Sequence, residues 1–243
     1  MKMSQNYTFG INVNMSHNLT FLNVYCKIMH MNTIAYLKEV YGYDNPIILK
    51  NIRIGGLSKT ALRQQLSRAY KKGEISKSGT GVFCFPNPDR LLPFNGLDAR
   101  KIIEAKYIKK GFVIDGLDIN RIGYYSGFGF LNMIGISPQV PNFYEIVTNN
   151  ATSNKRETFI GGVKVIIRKP KVEINYMNWK TLQFLDMIKL ISYEDLESER
   201  KIDILKKYIN KYLTKVELTK NLNFYGIEVT KKLVESKLIY EFK

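Results

Sequence analysis

Histidine is nearly absent. The chain of 243 residues holds only His17 and His30, so beyond residue 30 no imidazole is available as general base or metal ligand. Ser/His and Cys/His nucleophile pairs and multi-His metal centres are thereby excluded from most of the chain. The two cysteines, Cys26 and Cys84, cannot make a disulfide framework or, by themselves, a four-ligand zinc site. No apolar run approaches the roughly 18 residues of a membrane span. The first thirty residues lack the continuous apolar stretch and small-residue cleavage site of a secretory leader. A cytoplasmic protein without membrane contact is expected. No Gly-rich phosphate loop ending in Lys-Ser or Lys-Thr occurs, and no cofactor is implied.

Acid is the other shortage. Asp plus Glu number 21 against 37 Lys plus Arg, a formal charge of +16. Such an excess points to a polyanionic partner; a solvated, colloidally stable surface is the alternative. A hydrophobic content of 45% with 12% aromatics excludes disorder of the whole chain. The basic residues form two separated clusters. Residues 50–77 hold eight basic groups against Glu74 alone. Residues 155–180 hold seven, among them Lys155, Arg156, Lys164, Arg168, Lys169 and Lys171, against Glu157 and Glu173. Two clusters suggest two contact surfaces.

Residues 1–30 show two alternating apolar stretches around Ser16-His17-Asn18, the pattern of a β-hairpin extension. Met31 is an alternative natural start, because a capped helix follows it directly. Asn32 can cap a helix to about Tyr43, and Pro46 suits the first turn of a second, about 46–52. Ser58 caps a third, about 58–72, ending at Gly73. At 100° per residue its Leu62, Leu66, Ala69 and Tyr70 form a core face. Thr60, Gln64, Ser67, Arg68 and Lys71 fall opposite, and Lys59 and Arg63 flank the stripe. These side chains suit base edges and phosphates in a DNA major groove. Ile75 and residues 82–85 suit two short strands with a Gly79/Gly81 tip beside Lys77. Residues 31–86 thus read as a winged helix-turn-helix that binds double-stranded DNA.

Residues 86–97 read as a linker, and 98–243 as a second domain. A helix is expected at 98–109. Another is expected at 124–134 with Gly127 and Gly129 inside it, where glycines signal close packing. Strands are expected at 143–148, 158–160 and 163–168, the last two joined by the hairpin signal Gly161-Gly162. Residues 172–176 suggest a further strand. Helices follow at 179–191 (apolar nearly all round), 196–213, 214–222 and 226–236. The fold class is α+β: an N-terminal winged helix, then a mixed α/β domain with a helical C-terminus.

No catalytic constellation stands out. The close acidic pairs (Asp115 and Asp118, Glu194 and Asp195, Glu197 and Glu199) sit at loops or helix starts, where acids complement the dipole. Glu173 is followed by Ile174-Asn175 rather than by the Glu-x-Lys of a nuclease. Asn132 stands where a dinucleotide fingerprint needs glycine. Tyr124, Tyr125 and Phe128 are read as core packing, and Cys84 as a small buried hydrophobe. A non-enzyme is expected.

A wing ending Gly-Thr-Gly-Val-Phe is followed by Gly-Tyr-Tyr-Ser-Gly (123–127) with Leu131. Gly-Ile-Ser-Pro-Gln-Val-Pro (135–141) and Glu-Ile-Val-Thr-Asn (145–149) come next. This combination resembles the AbiE-type (abortive infection) antitoxin and transcriptional repressor family of bacterial type IV toxin–antitoxin systems. The likeness is strong over residues 31–191 and weaker beyond. It implies a DNA-binding N-terminal domain that represses its own operon at inverted repeats. It also implies a C-terminal antitoxin domain that neutralises a nucleotidyltransferase-like toxin, with no stable complex required. A winged-helix adaptor that docks directly on the toxin is the alternative.

Overall fold

The computed structural model describes residues 32–109 and 120–242. The expected hairpin at 1–30 and the Asp115/Asp118 pair lie outside them. The described residues form a mixed α+β fold with nine α-helices and two sheets.

Helix α1 (Thr33–Tyr41) starts where the Asn32 side chain accepts from the Ile34 N–H at 3.0 Å. It stops at Gly42, whose φ of +63° no helix continues. The expected helix at 46–52 is absent. Ile47–Ile48 form strand β1, and turns follow. The reason lies in their burial: Ile47 enters one core and Ile48 another, a period of two that a helix cannot supply. Helix α2 (Lys59–Lys71) is capped by Ser58 Oγ, which accepts from the Ala61 N–H. Leu62, Leu66 and Ala69 are buried as expected, but Tyr70 is 48% exposed. Its direction lies about 70° from the centre of the buried stripe, too far to reach a narrow core.

Strands β2 (Ser76–Lys77) and β3 (Val82–Cys84) form the hairpin, with sheet order β1-β3-β2. Strand β3 is buried on both faces. Phe83 joins Leu37, Ile47, Leu62 and Leu66 in the first core, while Val82 and Cys84 point the other way. What covers them is helix α3 (Ala99–Ile103), which runs on as a π-turn, Glu104–Ile108. The wider turn puts Tyr107 and Ile108 under cover together. Residues 86–97 are anchored rather than loose. Arg90 Nε and Nη2 lie 3.1 and 3.0 Å from Asp44 Oδ2, and Leu97 N–H donates to Ser78 Oγ.

The larger sheet has order β4-β5-β7-β6 (Gly123–Ser126, Phe143–Thr148, Val163–Arg168, Lys155–Ile160). Only the β5–β7 pair is parallel. The helix expected from Tyr124 begins three residues late, as α4 (Gly127–Met133). Tyr124 and Tyr125 alternate across the sheet, and Gly127 at φ +71° lets the chain turn from strand into helix. A Cβ on Gly127 would lie 2.8 Å from the Glu145 carboxyl carbon, the close packing that a glycine here implies. Residues 172–176 make no strand. The Asn149 side chain takes the place of a neighbour, donating to Ile174 O (2.8 Å) and accepting from Ile174 N–H (2.9 Å).

One sheet face, with Ile146, Val165 and Ile167, packs on α3. The other, with Tyr124 and Val147, packs on α5 (Trp179–Leu190), which is buried nearly all round. The expected helix at 196–213 is two helices, α6 (Tyr193–Glu197) and α7 (Glu199–Tyr212). A Ser192/Asp195 capping box starts the first, and extended Ser198 separates them. Helices α8 (Lys215–Leu222) and α9 (Ile227–Glu235) and a 3₁₀ turn complete the chain. Buried Lys232 on α9 closes the end of α5, its Nζ donating to Ile191 O at 2.6 Å.

Candidate nucleic-acid interface

The outward face of α2 carries the first basic cluster. Lys59, Thr60, Arg63, Gln64, Ser67, Arg68 and Lys71 are all exposed. None of these cations makes an ion pair with a described residue; the nearest pair is Lys72 with Glu74, at 3.9 Å. The helix is fixed from beneath by Leu62 and Leu66, at 2% and 0% exposure, so its polar face is presented by a rigid element. Lys77 is exposed on β2, and the hairpin turns tightly through Gly79 and Gly81, at φ +132° and +68°. Arg53 is drawn back to the backbone, its Nη1 donating to Lys50 O and Ile52 O. Sequence reasoning missed Tyr70, which stands exposed beside Arg63 and Ser67 on one flank. Its angular offset from the stripe was the available signal.

The second basic cluster is not gathered on one surface. Lys155, Lys164 and Arg168 share a sheet face by register. Arg156 is on the opposite face, donating to Tyr107 Oη at 3.1 Å. Lys164 lies 2.8 Å from Glu157, which holds that carboxyl below its usual value. Arg168 Nη2 lies 2.8 Å from Glu145 Oε1. Lys171 donates to Phe224 O and covers the Tyr225 ring. Lys155 and Lys169 are exposed, as is Lys171.

Elsewhere the polar interior is structural. Asp186, almost buried on α5, accepts from Tyr124 Oη at 2.7 Å, and burial raises its pKa. Tyr124 is fully buried, as expected for core packing, but Phe128 is 44% exposed. Gln183 donates to Tyr125 O and accepts from Tyr208 Oη. Cys84 is fully buried, and desolvation pushes its thiol up to about 11. Among the described residues no group of three His, Cys, Asp or Glu could hold a metal, and no helix is long and apolar enough to cross a membrane.

No protein-family model matches the chain, and no curated protein matches it.

Proposed function

We propose that the chain is a cytoplasmic, non-catalytic antitoxin that binds double-stranded DNA upstream of its own gene and represses its operon. In this reading residues 31–86 are a winged helix in which turns replace the middle helix. Helix α2 enters the major groove, and the β2–β3 hairpin is the wing. Arg68 and Gln64, with Thr60, Ser67 and Lys71, face bases; Lys59, Arg63 and Lys77 face phosphates. The observation that carries the reading is the row of exposed cations on α2 without acidic partners. The C-terminal part neutralises a nucleotidyltransferase-like toxin, a role that rests on the sequence resemblance alone.

The test is binding to the upstream duplex against a scrambled one. Arg68→Ala and Gln64→Ala should each cost about 1–3 kcal/mol and relax preference at one base pair. Unchanged affinity and preference in both variants would remove α2 from the interface. A protein-adaptor reading is favoured by one observation: Leu91 and Leu92 are 101% and 77% exposed on the anchored 86–97 segment. A stoichiometric complex with the toxin, without DNA binding, would establish it.

A further inference from the structure

The Gly-Tyr-Tyr-Ser-Gly and Gln-Val-Pro segments have no part in DNA reading, yet the fold brings them together. They line one cleft of about 350 Å³ at the end of the larger sheet. Tyr125 and Ser126 come from the end of β4, Val140 and Pro141 from the loop before β5, and Phe130 from α4. The volume falls within the range of small-molecule sites.

The lining specifies a ligand with three parts. Phe130, Phe143 and Pro141 offer apolar surface to a ring. Glu145 supplies an acceptor and is 9% exposed. Its Oε1 lies 2.8 Å from Arg168 Nη2 but receives no well-directed hydrogen bond. The carboxylate is therefore compensated in charge; Oε1 itself is closed to solvent, so it is the other oxygen that keeps lone pairs for neutral N–H donors in the cleft. Arg100 also lines the cleft and is exposed; among the described residues its guanidinium touches Tyr144 alone, by a 3.4 Å contact to Oη and at 5.9 Å from the ring centroid. Its remaining N–H groups suit an anion.

An aromatic ring with N–H donors on one edge and an anion at the other end is a nucleotide. We propose that this cleft binds a mononucleotide, its base edge on Glu145 and its phosphate on Arg100. The site is independent of the DNA-binding reading.

The experiment is calorimetric titration of the full chain with AMP, GMP, CMP and UMP, their nucleosides, and ribose 5-phosphate. At least one nucleotide should bind with a submillimolar Kd, more tightly than its nucleoside and than ribose 5-phosphate. Arg100→Ala should weaken that nucleotide roughly tenfold and leave the nucleoside unchanged. Val140→Trp, at a position 80% exposed and therefore safe for folding, should block both. The proposal is overturned if no nucleotide binds below about 1 mM. It is overturned equally if ribose 5-phosphate binds as tightly, or if Val140→Trp leaves binding intact.

Discussion

Replacing Lys77 by alanine removes one of five exposed cations assigned to the DNA face, the others being Lys59, Arg63, Arg68 and Lys71. Three of them, Lys59, Arg63 and Lys77, are assigned to phosphates, so the logarithm of affinity falls with that of salt at a slope of about −2.7, taking roughly 0.9 per contact. Raising salt from about 50 to about 200 mM then costs roughly 40-fold in affinity. Without Lys77 the slope becomes about −1.8, and the same salt step costs roughly 12-fold. Lys77 sits on β2 and makes no contribution to either core, so the change should be electrostatic and leave the fold intact. The assay is fluorescence anisotropy of a labelled upstream duplex over a KCl series. Lys155→Ala with Lys169→Ala supplies the contrast, with no expected change in slope. A parental slope shallower than about −2 would refute the assignment of these side chains to phosphates. A slope reduced by the Lys155/Lys169 pair would show that the second cluster also touches DNA.

Asp186→Asn tests the buried acid. Burial raises the folded-state pKa above the unfolded one, so the native state keeps a proton that the unfolded chain has released, and stability falls as pH rises through that window. The melting temperature of Asp186→Asn relative to the parent should therefore climb as pH rises from about 4, the ordinary aspartate value; a constant difference would contradict the direction of the shift. Gly123→Ala should destabilise by about 3 kcal/mol or more in urea unfolding, since its Cβ would fall 2.0 Å from Tyr107 O and 2.8 Å from Val147 O. An unchanged midpoint would mean that this strand does not pass so close. Cys84, in a Cys26→Ser background, should resist iodoacetamide at neutral pH until the protein is unfolded, because its thiol is buried and pushed up to about 11. Rapid labelling of the native protein would show that β3 is open to solvent.

What the sequence made readable was whatever depends on neighbours along the chain. The Ser58 cap, the Leu62/Leu66/Ala69 stripe and the Gly161-Gly162 turn each follow from spacing over a few residues. The misread segments are those settled by distant partners. Ile47-Ile48 fits a helix or a strand locally, and pairing with β3 decides it. Tyr124 has helical spacing to Leu131, seven residues on, but Val147 and Ile146 pair with Tyr124 and Tyr125 and draw them into the sheet. The strand pattern of 172–176 is undone by one amide, Asn149. In the candidate interface the outward side chains of α2 were legible because a helix fixes its own faces. The partners of Arg156, Arg168 and Lys171 were not, since each is supplied from a distant part of the chain.

Ile48, Val82 and Cys84 share their hydrophobic cluster with Ile102, Ile146, Val165 and Ile167. The half that carries α2 and the sheet half should therefore melt as one cooperative unit, since unfolding either strips apolar cover from the other. Cutting the chain at the 86–97 segment leaves two fragments, each with a bare hydrophobic face in water. A deletion that abolishes either proposed activity, repression or neutralisation, thus reports lost folding as readily as lost contacts. Point substitutions on the outer face of α2 should separate the two proposed activities where truncation does not.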